Sequence, residues 1–279
     1  MTGIVDSHLH IWQLDQDVPH PWLNASLGVL YKDFDEVAAS KVLDEHEIAQ
    51  AVLVQASDSI EETSYLLGAA KRNSWVGGVV GWIDLAAPRR AATQLVGSME
   101  SGVLKGIRHL IHDEEDAQFI LRAEVEQSLE MVAEAGLALD IPDAFPRHLQ
   151  QVLQLARRHP ELSIVIDHLG KPPWGAPAES MELWRSDLEQ AAAFPNVVAK
   201  ISGLDCGPGF TVDSVEPVVD FALEVFGARR LMYGGDWPMS MANGGYQASL
   251  QIISECLSKL SADEQEQVWS GTARRIYRI

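Results

Sequence analysis

Three observations predict an α/β fold, a single (β/α)8 TIM barrel filling residues 1–279. Eight short apolar runs recur along the chain. Stretches with helical periodicity separate them. Polar residues gather at the C-terminal ends of the runs. The runs cover residues 4–10, 51–57, 76–85, 104–111, 137–142, 162–169, 197–204 and 231–237. Near-continuous hydrophobic runs suit strands buried on both faces, which is the condition of a parallel sheet covered by helices. Between them, Leu149, Val152, Leu153 and Ala156 repeat at i, i+3, i+4, i+7 within residues 145–159. Leu66, Ala69 and Ala70 do the same within residues 62–73. Eight such units in 279 residues match one closed barrel. A doubly wound open sheet is the competing arrangement, but no Gly-x-Gly-x-x-Gly follows a strand and no Walker loop is present.

Composition narrows the function. Hydrophobic residues make up 47% of the chain, enough for a large core, and no apolar run has the length of a membrane span. A formal charge of −19, from 21 Lys and Arg against 40 Asp and Glu, disfavours nucleic acid and anionic membranes as partners. A small molecule is the expected partner, and self-association into a homo-oligomer is left open. The first residues lack a basic segment followed by an apolar one, so no signal peptide is expected. The two cysteines, Cys206 and Cys256, have no paired spacing. A cytoplasmic protein with free thiols is the expectation. Cys206, following strand 7 without an adjacent base, reads as structural.

In a barrel, chemistry belongs at the C-terminal ends of the strands. The first run reads Val5-Asp6-Ser7-His8-Leu9-His10. Alternation puts His8 and His10 on one face, about 7 Å apart by strand rise, where both imidazoles can converge on one ion or substrate atom. A His-x-His pair is common on surfaces; its place at the first strand tip gives it weight. Strand 6 ends in Asp167-His168 and strand 8 in Gly234-Gly235-Asp236-Trp237-Pro238. An ionised aspartate ending a buried strand is costly unless paired or metal-bound. His8, His10, His168 and Asp236 thus fall at the same end of strands 1, 6 and 8, and strands 1 and 8 are neighbours in a closed barrel.

The opening Asp6-Ser7-His8-Leu9-His10, followed by Trp12 and Pro21-Trp22, resembles that of the amidohydrolase-related family within the amidohydrolase superfamily. So do Gly78-Val79-Val80-Gly81-Trp82-Ile83-Asp84-Leu85, Gly106-Ile107-Arg108-His109 and Asp167-His168-Leu169-Gly170-Lys171-Pro172. Lys200-Ile201-Ser202-Gly203-Leu204, Gly235-Asp236-Trp237-Pro238 and the ending Gly271-Thr272-Ala273-Arg274-Arg275-Ile276-Tyr277 complete a likeness that runs the whole length. The resemblance implies a barrel hydrolase that opens a small lactone, with sugar-acid lactones such as fuconolactone or rhamnonolactone as the nearest substrate class. Sulfomuconolactone, pyrone-dicarboxylate lactones and zinc-dependent decarboxylation are the alternatives that it brings with it.

Binuclear superfamily members carry a carboxylated lysine or a glutamate at the tip of strand 4 and a histidine on strand 5. Here the strand 4 lysine, Lys105, stands at the wrong end, and strand 5 offers Asp140 but no histidine. The expectation is therefore one divalent ion, zinc, on His8, His10, His168 and Asp236, with a metal-free site as the alternative. Asp236 is the expected general base, and the histidines polarise the carbonyl directly or through the ion. Candidate substrate contacts are Arg108, His109, Gln55 and Lys171, with Trp12, Trp82 and Trp237 as apolar walls; Trp22 and Trp174 also lie beyond strand ends. Alternation sends only one of Arg108 and His109 inward unless a bulge intervenes. Residues 11–35 are expected to loop over the mouth.

Overall fold

The computed structural model describes residues 3–14, 18–204 and 209–279. The apolar runs form eight strands: β1 (Ile4–Leu9), β2 (Ile48–Val54), β3 (Val76–Gly81), β4 (Leu104–Arg108), β5 (Ala138–Ile141), β6 (Ser163–Ile166), β7 (Val197–Ile201) and β8 (Leu231–Tyr233). Neighbours in sequence pair in parallel from β1 to β8. The seam between β8 and β1 closes just beyond the strand ends. There the His10 N–H donates to the Trp237 carbonyl at 2.7 Å, and the Asp236 N–H to the His8 carbonyl at 2.8 Å. The barrel is thus sealed by the segments that carry three of the four expected ligands, His8, His10 and Asp236.

The strands end earlier than the apolar runs. Residues 167–170 turn tightly out of the ladder after β6, with left-handed φ of 55° at His168 and 51° at Leu169. Asp236, beyond β8, has φ 49°. Extended pairing is incompatible with such dihedrals, so hydrophobicity overestimates ladder length at the tips. Left-handed backbone at non-glycine residues stores strain, which is found where geometry serves a site.

Period-two alternation sorts the interior into layers. Val5, Val52, Val54, Val80, Ala138, Val165, Val198 and Met232 form one buried apolar cluster with Ala273 and Tyr277 of the C-terminal helix. Two residues further along the chain from Ala138, Val165 and Val198 stand Asp140, Asp167 and Lys200, all buried. An apolar floor therefore supports a charged layer, and the mouth opens above it.

Helices surround the barrel: α1 (Glu36–Glu45), α2 (Ile60–Arg72), α3 (Pro88–Met99), α4 (Ala123–Glu134), α5 (Leu149–Arg158), α6 (Ala178–Ala192), α7 (Val212–Phe226), α8 (Gly245–Leu257), α9 (Ala262–Glu266) and α10 (Thr272–Tyr277). Local sequence sets the two predicted ones. Ser59 caps α2 by accepting from the Glu62 N–H, while Glu61 and Glu62 in the first turn and Lys71 and Arg72 in the last complement the helix dipole. The α5 helix starts at Leu149, four residues into the patterned stretch, and Pro146 disfavours helical backbone at Phe145, where that stretch begins. No helix among the described residues is long and apolar enough to cross a membrane.

Glu62 has a second role. Its fully buried carboxylate accepts from the Ser57 N–H at 2.7 Å, the Ala56 N–H at 2.9 Å and His20 Nε2 at 3.1 Å. The Trp22 indole donates to the Ala56 carbonyl at 2.6 Å. Together these contacts strap residues 20–22 to the tip of β2, beside the mouth. Glu62→Gln removes one acceptor oxygen and the charge that strengthens these bonds. Urea unfolding should show a loss of about 1–2 kcal/mol. Because Trp22 lines the cavity, KM should rise more than kcat falls.

Candidate active site

A cavity of about 470 Å³ opens at the C-terminal mouth. His10, His168 and Asp236 reach its wall, with Arg108, Lys171 and three tryptophans, Trp12, Trp22 and Trp174. His8 lies directly beneath them, fully buried.

The seam of the barrel positions this group. Asp6 Oδ1 accepts from the His8 N–H at 2.9 Å and from the Gly235 N–H at 2.8 Å, and its Oδ2 accepts from the Tyr246 hydroxyl at 2.8 Å. One carboxylate thereby fixes the backbone that presents His8 and Asp236. Burial pushes the Asp6 carboxyl up to about 6, against the pull of these hydrogen bonds.

The His8 and His10 Nε2 atoms face each other at 3.1 Å, and Asp236 Oδ1 stands 3.7 and 3.6 Å from them. Ligand atoms about 2.0–2.1 Å from a tetrahedral ion lie about 3.3 Å apart, so this triangle has the dimensions of a divalent-ion site. His10 Nδ1 lies 2.7 Å from the Val54 carbonyl, which can only accept. Its proton is therefore on Nδ1, and Nε2 presents a lone pair toward the triangle. Burial holds His10 down at about 3 and His8 well below the usual imidazole range, so both rings are neutral, the form that ligates metal.

His168 stands beside this triangle. Its ring centroid is 4.6 Å from that of His8, and its Nδ1 is 2.9 Å from Ser202 Oγ. It groups with His8 and Asp167, whereas His10 and Asp236 group with His8 alone. The four expected ligands thus form one three-donor set with His168 adjacent to it. Gly203 makes room for the arrangement. At φ 54°, a Cβ there would collide with His168 Nδ1 and meet Asp236 Oδ2 at 2.8 Å.

Beneath His8 lies a buried ion cluster. Lys200 Nζ is 2.6 Å from Asp140 Oδ2, 3.0 Å from Asp167 Oδ1 and 3.1 Å from His8 Nδ1. Arg108 donates to Asp167 Oδ2 at 3.0 Å and to the Gln55 carbonyl at 2.5 Å. Burial alone would raise the Asp167 carboxyl, but Lys200, His8 and Arg108 hold it well below the usual carboxylate range. Burial wins at Asp140, pushed up to about 6 despite Lys200. The Tyr277 hydroxyl, rising from α10, donates to Asp140 Oδ2 at 2.8 Å. Lys105 lies away from this cluster, in a smaller cavity with Tyr277 and Arg278.

Of the candidate substrate contacts, Arg108, Lys171 and Trp12 line the cavity; Gln55, His109, Trp82 and Trp237 do not. His109 stacks on Phe119 and accepts from the Trp82 indole at 3.0 Å. Its Nε2–H donates to Glu114 at 2.8 Å. Trp82 leaves the β3 ladder, with its N–H donating to Thr63 Oγ1 at 2.8 Å. Trp237, next to Asp236, turns to the opposite side and packs edge-on against Phe34. Gln55 meets the Arg108 guanidinium and carbonyl instead of open space. Cys206 and residues 15–17 of the expected mouth loop lie outside the described residues.

Asp167, Lys200, Asp140 and Asp6 were not singled out from the sequence as site residues. A signal existed for the central one: Lys200 is a solitary charge within Val197-Val198-Ala199-Lys200-Ile201, and a lysine in a buried strand requires acidic partners.

The profile of the Amidohydrolase family matches residues 5–279. An L-fucono-1,5-lactonase from Burkholderia ambifaria is 35% identical, covering 100% of this chain and 97% of its own. A second L-fucono-1,5-lactonase, from Burkholderia multivorans, is 32% identical over 99% of this chain and 96% of its own. The crystal structure of an amidohydrolase from Burkholderia multivorans with bound zinc superposes with a TM-score of 0.91 at 31% identity, covering 99% of both chains. By sequence along its whole length and by fold, the chain belongs to the Amidohydrolase family.

Proposed function

We propose that this protein hydrolyses the ring of an uncharged sugar-acid lactone, an aldonolactone of the kind named by its lactonase relatives. The observation that carries this reading, beyond those relatives, is the charge of the cavity wall. Its Arg108 and Lys171 are both engaged by protein carboxylates, Asp167 at 3.0 Å and Asp143 at 2.6 Å. Asp113, Asp143 and Asp236 share the same wall. A substrate carboxylate would have to displace one of these pairs and approach acidic groups. Polyhydroxylated neutral rings instead find acceptors for hydroxyls and tryptophan faces for their C–H surfaces. A pyrone-dicarboxylate or a carboxylated arene fits this wall poorly.

In the proposed reaction Asp236 accepts a proton from water as the water oxygen bonds to the carbonyl carbon. The tetrahedral intermediate collapses with cleavage of the ring C–O bond, and Asp236 returns the proton to the departing ring oxygen. His168, beside Asp236, donates a hydrogen bond to oxygen as charge develops there. Trp12, Trp22 and Trp174 orient the ring and limit access of other water. His8, His10 and Asp236 would hold one zinc ion, which when bound supplies Lewis acidity for the carbonyl.

The deciding experiment is a panel of aldono-1,5- and 1,4-lactones, headed by L-fucono-1,5-lactone, assayed by acid release with a pH indicator. Turnover of at least one neutral lactone is expected, with none on 2-pyrone-4,6-dicarboxylate and no carbon dioxide from carboxylated arenes. The reverse pattern would sink the proposal. Elemental analysis of active protein should find no more than one divalent ion per chain. Two ions would contradict the reading of strands 4 and 5.

A further inference from the structure

His8 has two possible donor–acceptor arrangements, and the residues around it distinguish them. On its Nδ1 side stand Lys200 Nζ at 3.1 Å and Asp167 Oδ1 at 3.3 Å. On its Nε2 side stands His10 Nε2 at 3.1 Å, which is a lone pair because His10 Nδ1–H is spent on Val54. The Arg108 guanidinium reaches the same nitrogen only at 3.5 Å.

In the first arrangement Lys200 donates to His8 Nδ1, so the neutral ring carries its proton on Nε2 and donates it to His10. The chain Lys200, His8, His10, Val54 is then satisfied throughout, and the three ammonium protons face Asp140, Asp167 and His8. The cost falls on Asp167 Oδ1, which is buried and has the Lys200 ammonium at 3.0 Å but takes no proton from His8 Nδ1, 3.3 Å away. In the second arrangement His8 Nδ1–H donates to Asp167 Oδ1. That gives Asp167 Oδ1 a donor from the imidazole, but it turns two Nε2 lone pairs toward each other at 3.1 Å. Without a bound ion, His8 Nε2 has only the Arg108 guanidinium as a donor, at 3.5 Å, so this arrangement is the weaker one for as long as Lys200 donates to Nδ1.

We propose that Lys200 is a positioning residue that sets the tautomer of His8, closing its Nε2 to metal while it donates to Nδ1, and that ion entry hands Nδ1 over to Asp167. Switching moves one proton from Nε2 to Nδ1 and leaves the ring neutral, so the His8 charge is unchanged. Lys200 thereby tunes metal affinity from the far side of the imidazole, without contacting the ion. The inference rests on reading His8 as a metal ligand.

The test reads the tautomer directly. Protein labelled with ¹⁵N-histidine and stripped with a chelator is recorded by long-range ¹H–¹⁵N correlation, with His8 assigned from the missing signals of His8→Asn. The wild-type protein should show His8 protonated on Nε2, changing to Nδ1–H with the metal shift on Nε2 when zinc is added. In Lys200→Met/Asp140→Asn, which removes the ammonium and one partner carboxylate together, His8 should be Nδ1–H before zinc arrives. Calorimetry should then show zinc bound about tenfold more tightly or better, the scale of one charge-assisted hydrogen bond. A metal-free wild type already in the Nδ1–H form overturns the proposal, and needs no variant to fold. So does a double variant whose His8 tautomer and zinc affinity match the wild type. If neither protein binds zinc, the metal reading falls with it; zinc binding with an unmoved tautomer removes the role of Lys200 alone.

Discussion

Asp236→Asn is expected to lower kcat by a factor of about 10²–10⁴ on the best lactone while the barrel stays folded. Asparagine keeps the size of the side chain and one acceptor oxygen, but it cannot take a proton from water. The backbone N–H of Asp236 closes the seam through the His8 carbonyl, and that bond does not involve the side chain. Circular dichroism and the urea midpoint should therefore stay close to wild type. The substitution would also weaken one donor of the proposed zinc site, so zinc content is measured in parallel. If activity falls while the ion is retained, the loss belongs to proton transfer. Near-native turnover would remove Asp236 from the mechanism, since the cavity's other carboxylates, Asp113 and Asp143, are not part of the His8–His10 group.

Gly203→Ala should be nearly as damaging, although it adds a single methyl group. That methyl would collide with His168 Nδ1 and sit 2.8 Å from Asp236 Oδ2, well inside van der Waals contact. His168 cannot retreat freely, because its Nδ1 is engaged by Ser202 and its backbone is held in a tight turn. Displacing catalytic groups by about 1 Å costs on the order of 10² in rate, so kcat should fall at least that far. Left-handed backbone at alanine adds about 1–2 kcal/mol of destabilisation. The two effects are separable: turnover reports the displacement and chemical denaturation reports the strain. Unchanged kcat would mean that the placement of His168 and Asp236 does not matter to the reaction.

The barrel was legible in the sequence because burial on both faces writes apolar runs that local periodicity cannot hide. His8, His10, His168 and Asp236 were legible because packing alone rarely puts a polar residue at the end of such a run. Ambiguity entered where the ladder stops. Alternation carries side-chain direction only while the backbone stays extended, and Trp82 lies just after β3 ends. Gln55, His109 and Trp237 likewise lie beyond ladder ends, where hydrogen bonds to neighbouring loops decide orientation. Arg108, the last residue of β4, keeps the interior direction, whereas its neighbour His109 does not. The ion cluster was half legible. A lysine inside β7 announces that it needs carboxylates. Its actual partners come from β5 and the β6 tip, a pairing fixed by how strands sit at equal heights around the barrel.

That cluster also restricts the routes by which the chain can change over generations. Arg108, Lys200, Asp140 and Asp167 are all buried, and each shares at least one partner with another. Removing one member leaves an opposite charge stranded in a low-dielectric interior, whereas replacing a cation and its carboxylate together is far cheaper. Drift at position 200 should therefore be accompanied by drift at position 140, with position 277 following because its hydroxyl depends on the same carboxylate. Descendants that lose the Lys200–Asp140 pair as a unit would keep the fold and inherit a His8 with a different proton, and so a different appetite for metal.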